Sequence, residues 1–330
     1  MEYLIGMAFG LVFGWILNKS QMTCSLTLRS LFEFKSFELL GFGFMSIAVS
    51  CILYAGSQYF ELYKIYPLIP KLFPFEPVLA VLGALLFGVF WCLSETCPGS
   101  CLASLRSGQW MLKSKVTFAL GLFAAVPCYY FLEKMILKKW VWDSSPLLIS
   151  DFLHLNTTLT EFYLAILFLG LSYLVAKKRF SKIAVWGAFS GLLVFAATAT
   201  GGYLGVSGGL WATSAWLSDW LFNHNLGVTL SDSYVQWRIG FILGLIVYGL
   251  ALSSWLTPQV ALSGKRSQNL FLLFFYGIGM SLGGLIGFGC TSGAFIAGVP
   301  TLSLMSITTA SLFFVTALLT RRVLSKIRKS

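Results

Sequence analysis

Three of the seven cysteines in this 330-residue chain stand among small and polar residues: Gln21-Met22-Thr23-Cys24-Ser25, Glu95-Thr96-Cys97-Pro98-Gly99-Ser100 and Gly289-Cys290-Thr291-Ser292-Gly293. A thiol is a weak donor and a polarizable weak acceptor, so it can hold a sulfur-bearing solute and still release it. Conduction needs that compromise. A zinc centre fits poorly, because the one local Cys-x3-Cys pair is Cys97 and Cys101, and His154 and His224 lie in polar, loop-like contexts. We assign no metal ligand, no cofactor and no catalytic residue. Cys51 and Cys128 sit inside apolar runs and are expected as small core hydrophobes. Cys92 and Cys101 flank Cys97, and the sequence leaves their contact with a solute open.

The elements around these cysteines are those of a membrane protein. With 57% hydrophobic and 11% charged residues, and a mean hydropathy of +0.82, the chain lacks the polar residues to cover itself in water. Nine longer apolar stretches are expected as transmembrane helices: 3–17, 38–60, 77–93, 115–137, 160–176, 184–201, 236–256, 269–287 and 302–320. Four shorter ones, at 22–33, 97–107, 207–222 and 290–300, read as re-entrant half-helices. The fold class is therefore an all-α polytopic membrane protein, a single membrane domain over 1–330. Met1-Glu2-Tyr3-Leu4 enters an apolar run directly, so no signal peptide is read.

The formal net charge of +11 would suggest nucleic acid in a soluble protein. Here the charges fall between spans. With the N-terminus outside, about 17 of the 23 Lys and Arg share one side, which the positive-inside rule makes cytoplasmic. That side includes Lys177-Lys178-Arg179, Lys182, Lys265-Arg266 and the basic tail 321–330. Trp140, Trp142, Trp237 and Trp255 are expected in the interfacial belts.

Each cysteine-bearing break follows a glycine-rich apolar stretch and precedes another long one. A fourth break, Gly201-Gly202-Tyr203-Leu204-Gly205-Val206-Ser207-Gly208-Gly209, has the same layout without a cysteine. Two similar halves, about 1–176 and 183–320, are the expected plan, with the solute bound where their broken helices meet. A broken helix frees backbone groups that hydrocarbon cannot satisfy, so four breaks imply a polar interior. Each break starts a short helix whose N-terminal N–H groups favour an anion. No Lys or Arg falls at the breaks in sequence, so attraction without a buried cation is expected. Besides Cys24, Cys97 and Cys290, the candidate pathway residues are Gln21, Thr23, Glu95, Pro98, Gly99, Ser100, Gly205, Ser207, Gly289, Thr291, Ser292 and Gly293. Trp91 and Trp211 lie near breaks and could line the path. Glu95 is a candidate for proton coupling by its depth, but pairing with Arg106 or capping the short helix is the favoured reading.

These residues resemble the YeeE/YedE, or sulfur-transport, family. Gly289-Cys290-Thr291-Ser292-Gly293, with Gly298 and Leu302-Ser303-Leu304-Met305-Ser306 after it, is similar to the family's Gly-Cys-Thr-Ser-Gly signature and the helix that follows. Thr96-Cys97-Pro98-Gly99-Ser100 resembles its Cys-Pro-Gly-Thr element, and Gln21-Met22-Thr23-Cys24 its N-terminal element. The resemblance runs from Phe9 to Leu319. It implies an hourglass-shaped thiosulfate importer of the inner membrane with Cys24, Cys97 and Cys290 in a central row. After Gly293 this chain has Ala294-Phe295-Ile296 where many relatives have His-Gly and a small or sulfur residue, and Cys92 and Cys101 are extra. Sulfite, sulfide or a selenium compound therefore stays open as the substrate. The expected partners are the small sulfur-containing anion, the lipid bilayer and a soluble sulfur-carrier protein or sulfurtransferase on the cytoplasmic side. The alternatives are a membrane thiol-disulfide oxidoreductase, which needs an exposed cysteine pair and a redox partner, and a supporting subunit without flux of its own.

Overall fold

A computed structural model describes residues 1–62, 72–107, 112–135, 145–176, 180–222, 232–256 and 269–327, leaving aside the side-chain surroundings of 218–222. The order is α1 (Glu2–Lys19), α2 (Ser25–Phe32), α3 (Glu38–Tyr59), α4 (Pro77–Ser94), α5 (Pro98–Ala103), α6 (Leu112–Met135) and α7 (Ile149–Phe152). Then come α8 (Thr157–Ala176), α9 (Phe180–Ala199), α10 (Val206–Phe222), α11 (Ser233–Val247), a π-helical turn Tyr248–Leu252 and α12 (Ser253–Leu256). The chain closes with α13 (Leu270–Ile286), a π-helical turn Thr291–Gly298, a 3₁₀ turn Val299–Thr301 and α14 (Leu304–Ile327). Among the described residues, eight helical stretches are long and apolar enough to cross a bilayer, which makes this a polytopic membrane protein. α1, with 18 residues, is a further long helix outside those eight.

Local chemistry sets the ends. Pro77 opens α4, where a missing N–H costs nothing, and Glu95 ends it in the left-handed region at φ 50°. The side chains of Asp232 and Asn269 accept from Tyr234 N and Phe271 N, capping α11 and α13.

Glycine stripes set the packing. A Cβ on Gly6 or Gly10 would strike the backbone of Trp237 or Phe241, and one on Gly240 or Gly244 the backbone of Tyr3 or Met7. α1 and α11 thus run parallel and touch backbone to backbone, as small-xxx-small helices do. α9 approaches α3 in the same way through Gly187 and Gly191, against Met45 and Ser46. Gly83, Gly283 and Gly287 bring α4 and α13 together antiparallel. α4 also packs on α14 and α6 on α13, while α8 rests on α3. Leu159, Phe162, Tyr163, Ile166, Leu167, Tyr173 and Leu174 leave one face of α8 exposed and apolar, which suits lipid.

Three expectations change. Trp237 is fully buried, stacked on Phe241 at 5.6 Å with Gly202 against its ring, instead of lying in an interfacial belt; the close α1–α11 crossing encloses it. Cys128 is exposed on α6, so it is no core hydrophobe, whereas Cys51 is buried. Glu95 pairs with Arg321 at 3.4 Å and not with Arg106, because α14 brings its basic end beside the α4 break. Trp255 is exposed and His154 lies in an exposed turn, while Trp140, Trp142 and His224 fall outside the described residues.

Candidate functional site

All three candidate cysteines occupy the residue just before a short helical segment. Cys24 caps α2 with extended backbone (φ −83°, ψ 124°), Cys97 caps α5 (φ −112°, ψ 163°) and Cys290 precedes the Thr291–Gly298 turn (φ −103°, ψ −169°). Extended backbone there turns the side chain towards the free N–H groups of the first turn. The Cys97 thiol accepts from Ser100 N at 3.4 Å and lies 3.1 Å from Ser100 Oγ; Cys290 Sγ lies 3.2 Å from Ser292 Oγ. Gly205 directly precedes α10.

Cross-links hold the four breaks at one place. Ser100 Oγ donates to Met22 O at 2.9 Å, joining the second break to the first. Val206 N donates to Ser292 Oγ at 3.2 Å and Tyr203 Oη to Gly293 O at 2.6 Å, joining the third to the fourth. The Thr291 hydroxyl faces the Cys97 thiol, and the open face of Gly99 lies against Val206. Residues from 22 to 293 in sequence thus share one centre.

Two cavities meet it from different sides. One of about 200 Å³ is lined by Tyr203, Gly205, Ser207, Trp211, Arg238, Gly289 and Gly293 among others. The other, about 40 Å³, is lined by Cys97, Gly99, Ser100, Thr291 and Ser292 on a wall otherwise built from Phe13, Trp91, Phe295 and Phe314 and similar apolar residues. Gly293 borders the first, and a Cβ added to it would stand 3.9 Å from both Cys290 Sγ and Ser207 Oγ. The bare α-carbon keeps that gap open. A smaller hollow holds Ser20, Gln21, Met22, Lys182 and Trp186.

The remaining candidates divide. Thr23 turns away, its hydroxyl donating to Asn18 Oδ1 at 3.1 Å, and Cys24 is half-buried at the head of α2. Glu95 lines neither cavity. Pro98 is buried beneath Cys97 in the first turn of α5. Cys92 is a core residue and Cys101 is buried with its thiol 3.6 Å from Lys115 O, so neither lines a described cavity.

Sequence reading missed two cations. Lys115 is buried and donates to the carbonyls of Ser104 and Ser107 and, at 3.0 Å, to Ser104 Oγ, closing the end of α5. Arg238 is buried in the wall of the larger cavity, beside the first turn of α10. The expectation of breaks without a buried cation fails because α11, not a break, supplies Arg238. The signal was an arginine inside the apolar stretch 236–256, where an ionisable residue is a functional candidate by default.

A family model described as Sulphur transport matches residues 19–319, nearly the whole chain and all four breaks. The chain belongs to the Sulphur transport family. No curated protein matches it. As a member of the Sulphur transport family it is a membrane protein of a transport family, and the three cysteine breaks lie inside the matched region.

Proposed function

We propose that this Sulphur transport family member carries a sulfur oxyanion, thiosulfate first, across the cell's inner membrane, and that it is not an enzyme. The observation that carries the reading is the convergence of Cys97 and Cys290, each heading a short helical segment and each paired with a serine hydroxyl, with Thr291, next to Cys290, facing the Cys97 thiol. Helix N-termini supply partial positive charge, each worth about 0.3–1 kcal/mol near water and more in a dry site. The thiols then meet the terminal sulfur through weak S–H···S contacts that pass it from Cys290 to Cys97 to Cys24 with no bond formed or broken. Sulfate lacks that sulfur and is expected to be passed poorly; sulfite, sulfide and selenium compounds are secondary candidates.

The packing also fits an inverted two-fold repeat. Exchanging α1 with α9, α3 with α11, α4 with α13 and α6 with α14 turns the α1–α11 pair into α9–α3 and the α4–α14 pair into α13–α6, and all four pairs are present. The α4–α13 contact maps onto itself. Under this exchange Cys97 corresponds to Cys290 and Cys24 to Gly205, as two halves of a transporter would arrange them. α8 stands outside the repeat. Counting α1 as a ninth span and the four short segments as re-entrant puts the N-terminus outside and the basic C-terminus in the cytoplasm, where a sulfur-carrier protein or sulfurtransferase would receive the solute.

Uptake of radiolabelled thiosulfate into proteoliposomes holding this chain alone tests the function. Flux is expected from the transporter and from neither a thiol-disulfide oxidoreductase nor a supporting subunit. Absence of flux with folded, inserted protein would overturn the proposal.

A further inference from the structure

We infer that the larger cavity is a separate capture site for tetrahedral sulfur oxyanions, built from Arg238 and the N-terminus of α10, ahead of the thiols and indifferent to whether the anion carries a terminal sulfur. The inference rests on the transport reading only for its role in uptake. The site itself stands on its own geometry.

Arg238 is 5% exposed. Its guanidinium carbon lies 4.2 Å from the centre of the Tyr234 ring and 5.8 Å from that of Tyr203, so the ring faces carry part of the charge. Its Nε has no hydrogen-bond partner, and among the described residues no carboxylate reaches it within ion-pair distance. A buried guanidinium with an orphan donor is costly unless something accepts from it.

Its neighbour makes the position stranger. The guanidinium lies over Gly208, where a Cβ would stand 2.8 Å from its carbon and from Nη1. Gly208 is in the first turn of the 17-residue α10, the positive end of a helix dipole, which disfavours a cation. Two positive groups are thus held together at the wall of a cavity of about 200 Å³ whose other walls include the Ser207 side chain and Trp211. An anion between them satisfies both. Glu133, on α6, also lines this cavity, and among the described residues no ion pair joins it to Arg238.

A guanidinium fork and helix N–H groups recognise oxyanion oxygens and not a sulfur terminus. Sulfate and thiosulfate therefore bind here alike, and the choice between them is made past Gly293, at Cys290. Sulfate becomes a blocker that occupies the vestibule without being carried.

The test is equilibrium binding of radiolabelled sulfate, and separately of thiosulfate, to the full chain in nanodiscs, beside uptake of both in proteoliposomes. The wild type is expected to bind the two anions within about threefold of each other while carrying thiosulfate only. Arg238→Gln is expected to weaken both about 10–100-fold, the scale of a buried charge-assisted hydrogen bond. Arg238→Lys should recover part of the loss. Gly208→Ala, which leaves the arginine in place but displaces its guanidinium, should weaken binding several-fold in a protein that keeps its size-exclusion profile. Undiminished sulfate binding in Arg238→Gln, or wild-type binding of thiosulfate without sulfate, overturns the capture site. Arg238-dependent binding of both anions without flux of either would leave the site standing and overturn the transport reading instead.

Discussion

The two cavities on either side of the fourth break, one reaching Gly293 and the other Thr291 and Ser292, are built from opposite chemistry. On the side of α10 the wall carries an arginine, a serine hydroxyl and a helix N-terminus, and the space is about 200 Å³. On the side of α5 the space is about 40 Å³, and Cys97, Ser100 and Thr291 are set in phenylalanine and tryptophan. The first suits capture of charge and the second stripping of water, since apolar walls give oxygens no replacement for hydration. On the proposed reading, the wider charged cavity, the mouth, attracts the anion and the narrower one at Cys97, the throat, discriminates. If the halves are a repeat, they have diverged in function at the third break, where Gly205 stands in place of a cysteine.

Removing the three thiols should have the largest effect. Cys97→Ala, Cys290→Ala and Cys24→Ala are each expected to cut thiosulfate uptake by more than about tenfold, because a relay has no detour around a missing step. Serine in their place should not restore it, although its hydroxyl is the stronger donor. Cys128→Ala, at an exposed position on α6, and Cys51→Ala, in the core beside α8, should be nearly silent. Uniform loss at all five positions would mean that the cysteines serve folding, and the contrast between mouth and throat would lose its chemical basis.

Next in size is the boundary itself. In Gly293→Ala the new methyl would meet Gly205 Cα at 3.5 Å and Cys290 Sγ at 3.9 Å, ordinary contact distances that allow folding yet fill the gap. Uptake is expected to fall several-fold, and by more than sulfate binding in the larger cavity, whose wall Gly293 also forms. Gly170→Ala on α8, with nothing within 4 Å of the added atom, is the control. Equal uptake in the two variants would put the passage elsewhere.

How far the sequence revealed this contrast depends on range. The helices followed from apolar stretches that needed no partner to be recognised, and the four breaks from glycine and cysteine punctuation, so the polar residues of the throat, Cys97, Ser100, Thr291 and Ser292, were named, while apolar wall residues such as Phe13 and Phe314 were not. Arg238 was not, because what makes it notable is its place over Gly208, thirty residues earlier in the chain and on another helix. Trp237 was misread for the same reason: its burial comes from α1, at the far end of the sequence. Glu95 was legible as a residue that needs a partner, but the partner lay on α14 and not nearby. Local pattern identifies elements, and the identity of long-range neighbours has to come from packing.

The smallest effect concerns a charge cluster beside the two breaks of the first half. Arg321 pairs with both Glu33, at the end of α2, and Glu95, two residues before Cys97; Glu33 also pairs with Arg29 at 2.8 Å and Lys35 at 2.7 Å. One arginine thereby ties α14 to both cysteine-bearing breaks of the first half, whereas Arg238 in the mouth has no such acid. The hydrogen bond from Arg29, then that from Lys35, outweigh the cost of burial and with Arg321 hold the Glu33 carboxyl down at about 2, against an ordinary 4.5. A carboxyl lowered on folding adds stability that is fully present above its unfolded value and is lost as pH falls towards its folded one. The melting temperature of the wild type should therefore exceed that of Glu33→Gln at pH 7, and the difference should shrink between about pH 5 and pH 2 as the carboxyl takes up its proton. Partly exposed pairs of this kind contribute about 1 kcal/mol or less each, so the difference is a few degrees at most. A difference that is constant with pH would mean that the glutamine disturbs packing and that the cluster does not hold the throat through charge.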